Sequence, residues 1–173
     1  LDAMPRSEDS PRVVVRSCAP SEVSAVHALI VELARYERAE NEVALTAEAL
    51  QTDMAEGRFV CFVAKALGQI VGMALHHARY STWKGLTWYL EDLVVTEAWR
   101  GQGVGRELFL AVAAHARSVN AKRLEWQVLD WNEPAIGFYQ TLGASLTDTW
   151  LNGRLTDRDL ATLPSPDNFA ANG

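Results

Sequence analysis

Apolar residues in the first third of the chain have the spacing of a short strand followed by two helices. Residues 12–16 are rich in valine and predict a first strand. From Pro20 onwards the apolar positions repeat with a helical period and predict one long amphipathic helix: Val26, Leu29, Ile30, Leu33 and Tyr36. Thr46 is a typical N-cap residue, which predicts a shorter second helix that runs to Ala55 and ends at Gly57.

The middle of the chain is rich in β-branched and aromatic residues and predicts three antiparallel strands. Residues 59–66 and 70–80 flank Leu67-Gly68-Gln69, a sequence that indicates a hairpin turn, and residues 86–95 supply the third strand. The next helix is predicted from apolar positions that again repeat with a helical period: Val104, Leu108, Val112, His115 and Val119.

The last third predicts a strand over residues 123–129 and a short helix over residues 132–142. Residues 145–155 are predicted to add one or two edge strands. The resulting order, β-α-α-β-β-β-α-β-α-β, indicates an α/β protein of the α+β kind. Periodicity supports no fold more specific than this.

The size and composition of the chain indicate one domain. Its 173 residues, 49% of them hydrophobic, can bury a substantial core but are too few for two typical domains. We expect that domain to span residues 12–163. Residues 1–11 are predicted to be a disordered N-terminus or a remnant of cloning, and residues 164–173 a flexible C-terminal tail.

The charge balance and the lack of long apolar runs narrow the range of partners. The 16 basic and 22 acidic side chains give a formal charge of −6, which disfavours nucleic acid and suits a cationic small substrate. No apolar run approaches the ~20 residues of a membrane span, and the N-terminus has no signal-peptide core. We therefore predict a soluble, cytoplasmic protein without a membrane partner.

The cysteines and histidines give no sign of a metal site or a disulfide framework. Cys18 and Cys61 are far apart in the sequence and have no CxxC or Cys/His spacing. His76 and His77 are neighbours in a predicted strand, where they point to opposite faces. We predict no metal and interpret Cys61 as an ordinary core thiol.

A glycine-rich segment joins the third of these strands to the next helix. It reads Arg100-Gly101-Gln102-Gly103-Val104-Gly105. Glycine allows positive φ and close backbone approach, so this turn can direct its N–H groups and the positive end of the helix dipole at an anion. The spacing excludes a dinucleotide fingerprint, which needs glycine where Arg106 stands, and also a P-loop. The alternative is a glycine-rich connection that binds no ligand.

The segment resembles the acyl-CoA pyrophosphate loop of the GNAT superfamily of N-acyltransferases, whose motif is Q/R-x-x-G-x-G. Within that superfamily the chain is similar to the diamine acetyltransferase group, which includes spermidine/spermine and thialysine Nε-acetyltransferases. The similarity spans residues 14–163 and rests on further segments at 32–37, 80–85, 89–92 and 130–139. It implies the GNAT fold, a twisted, mixed, mostly antiparallel sheet of six to seven strands with helices on both sides, and a homodimer.

The resemblance implies acetyl-CoA as the acetyl donor and places its binding on two stretches of backbone. The backbone of Leu93 and Val95 would hold the pantetheine like an added strand, and an N–H group in this stretch would polarise the thioester carbonyl. Asn132 is interpreted both as a helix N-cap and as a CoA contact. The pyrophosphate would be bound by the loop and the residue that follows it: Arg100, Gly101, Gln102, Gly103, Val104, Gly105 and Arg106.

The same resemblance implies two catalytic residues. Tyr139 would stand beside the CoA sulfur as general acid, the alternative being a core aromatic residue on an amphipathic helix. Glu91 would accept the amine proton, through water or directly, and Asp92 would lie near the substrate ammonium. In a regular strand these two acids face opposite sides. Because carboxylates in a central strand are costly unless paired, the alternative for both is an internal salt bridge, for example to Arg79 or Lys84.

Three residues are expected from the resemblance to line the amine pocket: Tyr36, Glu37 and Trp83. Glu37 offers negative charge and Trp83 an apolar or cation–π wall. The alternative is that Tyr36 completes the apolar stripe of the first helix and that Glu37 is its solvated end. Polyamine-acetylating members typically carry aspartate where this chain has Ser81, which favours a smaller amine such as lysine or thialysine.

Together these features predict an acetyl-CoA-dependent N-acetyltransferase. It would transfer the acetyl group directly to a primary amine of a small molecule, a thialysine- or lysine-like amino acid or a diamine. One alternative is a polyamine acetyltransferase that finds its counter-charge at Glu37 or Asp92, and another is a protein-lysine acetyltransferase. A non-catalytic acyl-CoA-binding sensor domain is the alternative from a different class, and the presence of both Tyr139 and Glu91 argues against it.

Overall fold

Residues 11–164 of the 173-residue chain are described by a computed structural model. The elements are, in chain order, β1 (Val14–Ser17), α1 (Val23–Tyr36), α2 (Ala47–Ala55), β2 (Val60–Ala66), β3 (Gln69–Ser81), β4 (Gly85–Val95), α3 (Val104–Ser118), β5 (Leu124–Glu125), α4 (Glu133–Thr141) and α5 (Asp157–Thr162). Short 3₁₀ turns precede three of the helices, at Pro20–Glu22, Glu40–Glu42 and Glu97–Trp99.

The chain divides into two units between Leu129 and Asp130. The first unit holds the sheet with α1, α2 and α3, and the second holds α4 and α5. Residues 1–10 and 165–173 lie outside the described range, and with them nearly all of the predicted N-terminal and C-terminal tails. The expectation of one domain over residues 12–163 stays a prediction.

The strands are hydrogen-bonded in the order in which they occur in the chain, β1-β2-β3-β4-β5. The first four pair antiparallel, and β5 pairs parallel to β4. The β2–β3 hairpin closes through Leu67 and Gly68, whose φ angles of 50° and 80° suit a two-residue turn. The predicted hairpin is therefore confirmed, with Gln69 already the first residue of β3.

One face of the sheet packs against α1 and α2. The buried residues of this core come from both helices and from three strands: Val23, Val26, Leu29, Leu50, Cys61, Val63, Met73, Leu75 and Val94. The predicted start of α2 is confirmed, because the hydroxyl of Thr46 accepts a hydrogen bond from the N–H of Ala49 at 3.2 Å. This cap fixes where α2 begins beside α1.

The opposite face packs against α3 through a close approach at Gly72 of β3. A Cβ atom at Gly72 would lie 2.8 Å from the backbone oxygen of Val94 and 3.1 Å from Cδ1 of Leu108. Leu108 and Val112 of α3 are completely buried. Because α3 covers this face and α1 and α2 the other, the prediction of helices on both sides of the sheet is confirmed.

The predicted class of fold is confirmed, but the predicted number of strands is wrong. The described residues contain five strands rather than six or seven. β5 is only two residues long and pairs with β4 at Trp88 and Tyr89 alone. Residues 145–155, the predicted edge strands, form no strand, because the described part of the second unit offers no other strand to satisfy their backbone groups.

Gly72→Ala is expected to destabilise the first unit by about 1–3 kcal/mol, because its methyl group meets backbone rather than a movable side chain. Urea unfolding followed by circular dichroism measures the change. Gly137→Ala is the matched control: nothing lies within 4 Å of a Cβ at that position. Alanine inside α4 should leave stability equal or higher by up to ~1 kcal/mol. Wild-type stability in Gly72→Ala would contradict the close approach.

Candidate active site

Glu91 is the extra residue of a β-bulge in β4. Leu75 of β3 pairs with Asp92, and the next residue, His76, pairs with Leu90, so Glu91 has no partner on β3. A bulge of this kind interrupts the alternation of side chains along a strand. It lies at the point where two carboxylates follow one another in an otherwise apolar sequence.

One register pair and one side-chain contact place Glu91 and Asp92 on the face of the sheet that packs against α1. Asp92 shares its face with its register partner Leu75, which belongs to the core beside α1. Glu91 Oε2 lies 3.2 Å from Nε2 of His77, and His77 shares the face of Leu75 because residues two apart in a strand point the same way. The expectation that Glu91 and Asp92 face opposite sides is therefore wrong, since the inserted residue turns both to one side.

Asp92 is the more buried of the two acids, and holding it charged is costly. Burial first, and then the negative charges of Glu91 and Glu37, raise the pKa of Asp92 to about 6. Within residues 11–164 neither Glu91 nor Asp92 forms an ion pair with lysine or arginine. No ion pair of either acid with Arg79 or Lys84 is described, but Glu91 Oε2 lies 3.2 Å from Nε2 of His77, which is an ion pair when that ring is protonated. The alternative of an internal salt bridge therefore stays open for Glu91. Acids that face one way without a fixed counter-charge attract a cation.

The C-terminal end of α1 lies within electrostatic reach of these acids. Glu37 is the C-cap residue of α1, and partial burial raises its pKa. Tyr36, the last residue of the helix, is exposed and has the guanidinium of Arg100 5.4 Å from its ring centroid. The same guanidinium lies 3.8 Å from Oε1 of Glu32. Arg100 therefore connects the glycine-rich loop to α1.

The glycine-rich loop presents backbone N–H groups at the start of α3. Gly101 and Gly103 have φ angles of 71° and 81°, in the left-handed region that glycine adopts without strain. Gly103 is the N-cap of α3 and has no side chain to bond the first N–H groups of the helix. A Cβ at Gly105 would only make an ordinary contact of 3.7 Å with Val95. Packing within the described chain therefore does not require glycine at position 105.

Of the other loop residues, Gln102 and Val104 hold the loop in place and Arg106 is exposed to solvent. The side-chain amide of Gln102 donates a hydrogen bond to the backbone oxygen of Ala98 at 2.9 Å, which holds the loop against the preceding turn. Val104 is buried, and Arg106 is exposed in the first turn of α3. The loop is thus fixed on its inner side, while its first helical turn carries an exposed cation.

The edge of β4 that faces β5 has a stretch without a strand partner. Because β5 pairs only with Trp88 and Tyr89, the described chain offers no strand to residues 90–95 on that side. This stretch includes Leu93 and Val95, and the backbone oxygen of Val95 accepts a hydrogen bond from Nε of Arg100 at 2.9 Å. An unpaired edge of this kind can bind an extended ligand as an added strand.

Trp83 lies far from Glu91 and Asp92 within the first unit. It lies in the turn between β3 and β4, about 20 Å along β4 from Glu91. Its side chain is 84% exposed. The hydroxyl of Ser81 accepts hydrogen bonds from the N–H groups of Trp83 and Lys84 at 3.3 and 3.2 Å, so Ser81 shapes this turn.

The second unit contains the remaining two predicted site residues. Asn132 caps α4, as expected, because its Oδ1 accepts a hydrogen bond from the N–H of Ala135 at 3.3 Å. Tyr139 is buried, and its ring meets that of Phe138 edge to face with 5.1 Å between centroids. The proposed roles of Asn132 in CoA binding and of Tyr139 in catalysis stay predictions.

The two neighbouring histidines point to opposite faces, as predicted. His76 is completely buried on the α3 face, where its Nδ1 accepts a hydrogen bond from Nε1 of Trp88 at 2.6 Å. Burial and the nearby rings of His115 and His77 lower the pKa of His76 to about 4. His77 instead contacts Glu91, a pairing that the sequence does not predict because it depends on the register of β3 against β4.

Neither a metal cluster nor a membrane span is found in the described range. Among residues 11–164, no three His, Cys, Asp or Glu side chains are grouped as metal ligands, and no helix is long and apolar enough to cross a bilayer. Cys18 and Cys61 are both free thiols, and Cys61 is buried in the core as predicted. The absence of a metal stays a prediction.

Comparison with known proteins identifies the family. Residues 25–144 match the family model described as the acetyltransferase (GNAT) family. The chain belongs to the GNAT acetyltransferase family. It is 37% identical to a thialysine N-epsilon-acetyltransferase from Bos taurus, over 76% of this chain and 84% of that protein. An enzyme of the same name from Mus musculus is 35% identical, over 86% of this chain and 95% of its own length.

The GNAT fold is also found among solved structures that resemble this chain. An aminoglycoside N-acetyltransferase in complex with CoA gives a TM-score of 0.71 at 18% sequence identity and covers 86% of this chain and 98% of its own. The predictions of a GNAT fold and of a GNAT-family acetyltransferase are confirmed by these matches.

Asp92→Asn is expected to remove a loss of stability that the wild type shows as the pH rises. The pKa of Asp92 is about 6 in the folded protein, above its ordinary 3.8, so the folded state binds this proton more tightly than the unfolded state. The stabilisation from protonated Asp92 is therefore complete below about pH 4 and is lost through about pH 6. Above that range Asn should be more stable than Asp, by at most about 3 kcal/mol.

Urea unfolding of both proteins at a series of pH values measures this difference. Asp148→Asn, which replaces an exposed aspartate, is the matched control and should follow the wild type at every pH. Parallel curves for Asp92→Asn and the wild type would show that Asp92 is not held in a costly environment.

Proposed function

We propose that this chain is an N-acetyltransferase that moves the acetyl group of acetyl-CoA directly to a primary amine of a small cationic molecule. Membership of the GNAT family supplies the reaction class. The main support for a cationic acceptor is the bulge in β4, which turns Glu91 and Asp92 to one face, where no lysine or arginine of residues 11–164 pairs with them. A cationic acceptor is the partner that this negative face lacks.

Acetyl-CoA is the donor that the family implies, and the residues of this chain fit it. It supplies an acetyl thioester whose carbonyl carbon the amine attacks. We propose that the unpaired edge at Leu93 and Val95 holds the pantetheine and that the N–H groups of residues 101–106 hold the pyrophosphate, with Arg100 and Asn132 as further contacts. The loop supports this, because the N-terminus of α3 has no side-chain cap and packing does not require glycine at position 105.

Glu91 is proposed to accept the proton that the amine must lose. An ammonium nitrogen has no lone pair, so deprotonation has to precede attack on the thioester. Glu91 suits this role because its side chain is 54% exposed and therefore reaches a substrate or an intervening water. Asp92 and Glu37 are proposed to bind the positive charge of the acceptor, and Tyr36 to line the pocket beside them.

Tyr139 is proposed to donate a proton to the sulfur that leaves as the amide forms. A thiolate departs more readily when an acid stands within hydrogen-bond reach, and a tyrosine hydroxyl can serve as that acid. The support for this role is the resemblance of the segment around Tyr139 to the family motif. Its buried ring would hold the hydroxyl in one position.

The acceptor is proposed to be a lysine-like amino acid such as thialysine. The relatives from Bos taurus and Mus musculus bear that name, and Ser81 commits its hydroxyl to the β3–β4 turn where a polyamine enzyme would carry a carboxylate. A polyamine is the second candidate, favoured by the negative charges of Glu37 and Asp92. The role of Trp83 in the pocket rests on the resemblance alone.

A homodimer and a cytoplasmic location complete the proposal. The support for the homodimer is the resemblance to the diamine acetyltransferase group, and the exposed ring of Trp83 is one apolar group that a second copy could bury. Nucleic acid is disfavoured as a partner by the formal charge of −6.

Release of CoA thiol from acetyl-CoA is expected with thialysine and lysine at higher kcat/KM than with spermidine, spermine or short diamines, because nothing at Ser81 offers a distal counter-charge. A colourimetric thiol assay over this panel measures the preference. Faster turnover of spermidine would favour the polyamine alternative. Tight acetyl-CoA binding without turnover of any amine would support the sensor domain instead.

Tyr139→Phe is expected to lower kcat about 100-fold, while the dissociation constant of acetyl-CoA stays within a factor of about 2, because only the acid is removed. Steady-state kinetics and calorimetry measure the two effects. Tyr80→Phe, which removes the hydroxyl of an exposed tyrosine in the first unit, is the matched control and should leave both unchanged. An unchanged kcat in Tyr139→Phe would show Tyr139 to be a structural aromatic residue.

A further inference from the structure

His77 has a proton acceptor at each of its two ring nitrogens. Nδ1 lies 3.0 Å from the backbone oxygen of Ala78, and Nε2 lies 3.2 Å from Oε2 of Glu91. A carbonyl oxygen only accepts hydrogen bonds, so Nδ1 must carry the hydrogen of a neutral ring. In the neutral ring Nε2 then has a lone pair and no hydrogen.

The contact between His77 and Glu91 is therefore favourable only when one proton lies between them. With a neutral ring and an ionised carboxylate, two lone pairs face each other. One added proton gives either an imidazolium beside a carboxylate or a neutral ring that accepts from a carboxyl group, and both states contain a hydrogen bond. The geometry thus describes a pair that gains a bond when it takes up one proton.

We infer that His77 is a positioning residue that holds the proton taken up by Glu91, so that the Glu91–His77 pair, rather than the carboxylate alone, is the base toward the cationic amine. The inference rests on the proposed function. In this step an N–H bond of the ammonium breaks and its electron pair stays on nitrogen. The proton passes to the pair directly or through a water molecule and is shared in a hydrogen bond between Oε2 of Glu91 and Nε2 of His77. The neutral amine then attacks the acetyl carbonyl.

The chemistry of the two groups explains why a pair is more effective than Glu91 alone. The ordinary pKa of a glutamate is about 4.3, which makes it a weak base at neutral pH, whereas the ordinary pKa of imidazole is about 6.5. A general base works best when it titrates close to the operating pH. The pair adds imidazole to the carboxylate without placing a permanent cation in the site.

The surroundings of His77 leave this proton to Glu91. Its register partner on β4 is Tyr89, whose ring centroid is 5.5 Å away, and β5 places Glu125 beside Tyr89. Arg79, the next residue of β3 on the same face, holds its guanidinium 5.4 Å from the Tyr89 ring centroid. Glu37 of α1 contributes to the raised pKa of Asp92, and no hydrogen bond between Glu37 and His77 is described. Glu91 is thus the only carboxylate with a described hydrogen bond to His77.

His77→Gln tests the inference, because the glutamine amide can place an N–H donor near the position of Nε2 but cannot take up a proton there. We expect kcat at neutral pH to fall about 10-fold with an unchanged KM for acetyl-CoA. The deficit should narrow toward about pH 10, where the free amine needs no base. The rise of kcat/KM with pH should begin at lower pH in the variant, where the carboxylate acts alone.

Two further variants separate this role from a structural one. His27→Gln is the matched control, since one ring nitrogen of His27 likewise bonds a backbone oxygen, that of Leu45 at 2.7 Å, and no contact between His27 and Glu91 is described. It should keep the wild-type kinetics. His77→Asn retains the bond to Ala78 and loses the reach to Glu91, so it should show the same deficit as His77→Gln. Urea unfolding confirms that each variant is folded.

Glu91→Gln and the double variant Glu91→Gln/His77→Gln complete the test. If the two residues act as one base, the double variant has the kcat of Glu91→Gln, not the product of the two losses. Multiplied losses, or a wild-type pH profile in His77→Gln beside an altered one in Glu91→Gln, would overturn the inference and leave the proposed function standing. A wild-type profile in Glu91→Gln would overturn both.

Discussion

The bulge at Glu91 reconciles two apolar patterns in β4 that are out of phase by one residue. Trp88 and Leu90 face α3, because the ring of Trp88 lies with its centroid 4.9 Å from that of His115. Leu93 and Val95 face the same side farther along the strand. Regular alternation cannot place both pairs on one face, because Leu90 and Leu93 are three residues apart. Inserting one residue restores the alternation and leaves two consecutive acids on the opposite face. The charge of the site is thus a direct consequence of how β4 fits between two helical layers.

The acids are kept at a cost that the rest of the first unit has to offset. Burial and neighbouring carboxylates raise the pKa of Asp92 to about 6. Ionised Asp92 therefore destabilises the folded protein. A salt bridge would remove that cost, yet Arg79 lies over Tyr89, and no ion pair of Asp92 is described within residues 11–164. Sites that bind a cationic substrate commonly give up stability in this way, because a built-in cation would occupy the position of the ligand. The tight packing of α3 at Gly72 and the core beneath α1 supply the compensating stability.

Local patterns were sufficient for most of the fold, and long-range register was needed for the site. The N-cap at Thr46, the hairpin at Leu67-Gly68 and the helical period of α1 are set by residues close in the sequence, so they were predicted from it. The length of β5 and the absence of strands over residues 145–155 depend on whether a neighbouring edge is available, which no local pattern shows. The bulge is visible in the sequence only as a three-residue step from Leu90 to Leu93 in a strand whose apolar residues otherwise alternate. The contact of His77 with Glu91 left none, because it follows only from pairing β3 with β4.

A histidine at position 77 solves a problem that neither a stronger nor a weaker base could solve. Lysine there would stay charged at neutral pH, neutralise Glu91 and compete with the ammonium group of the acceptor. A residue without a proton-accepting nitrogen would leave a carboxylate whose ordinary pKa lies well below neutrality to deprotonate an amine by itself. Imidazole has an intermediate affinity for the proton, and its bond to the oxygen of Ala78 orients the free nitrogen at Glu91. The same face can therefore attract a cation and afterwards remove one of its protons, because His77, the basic group in contact with Glu91, is charged in only one of its two states.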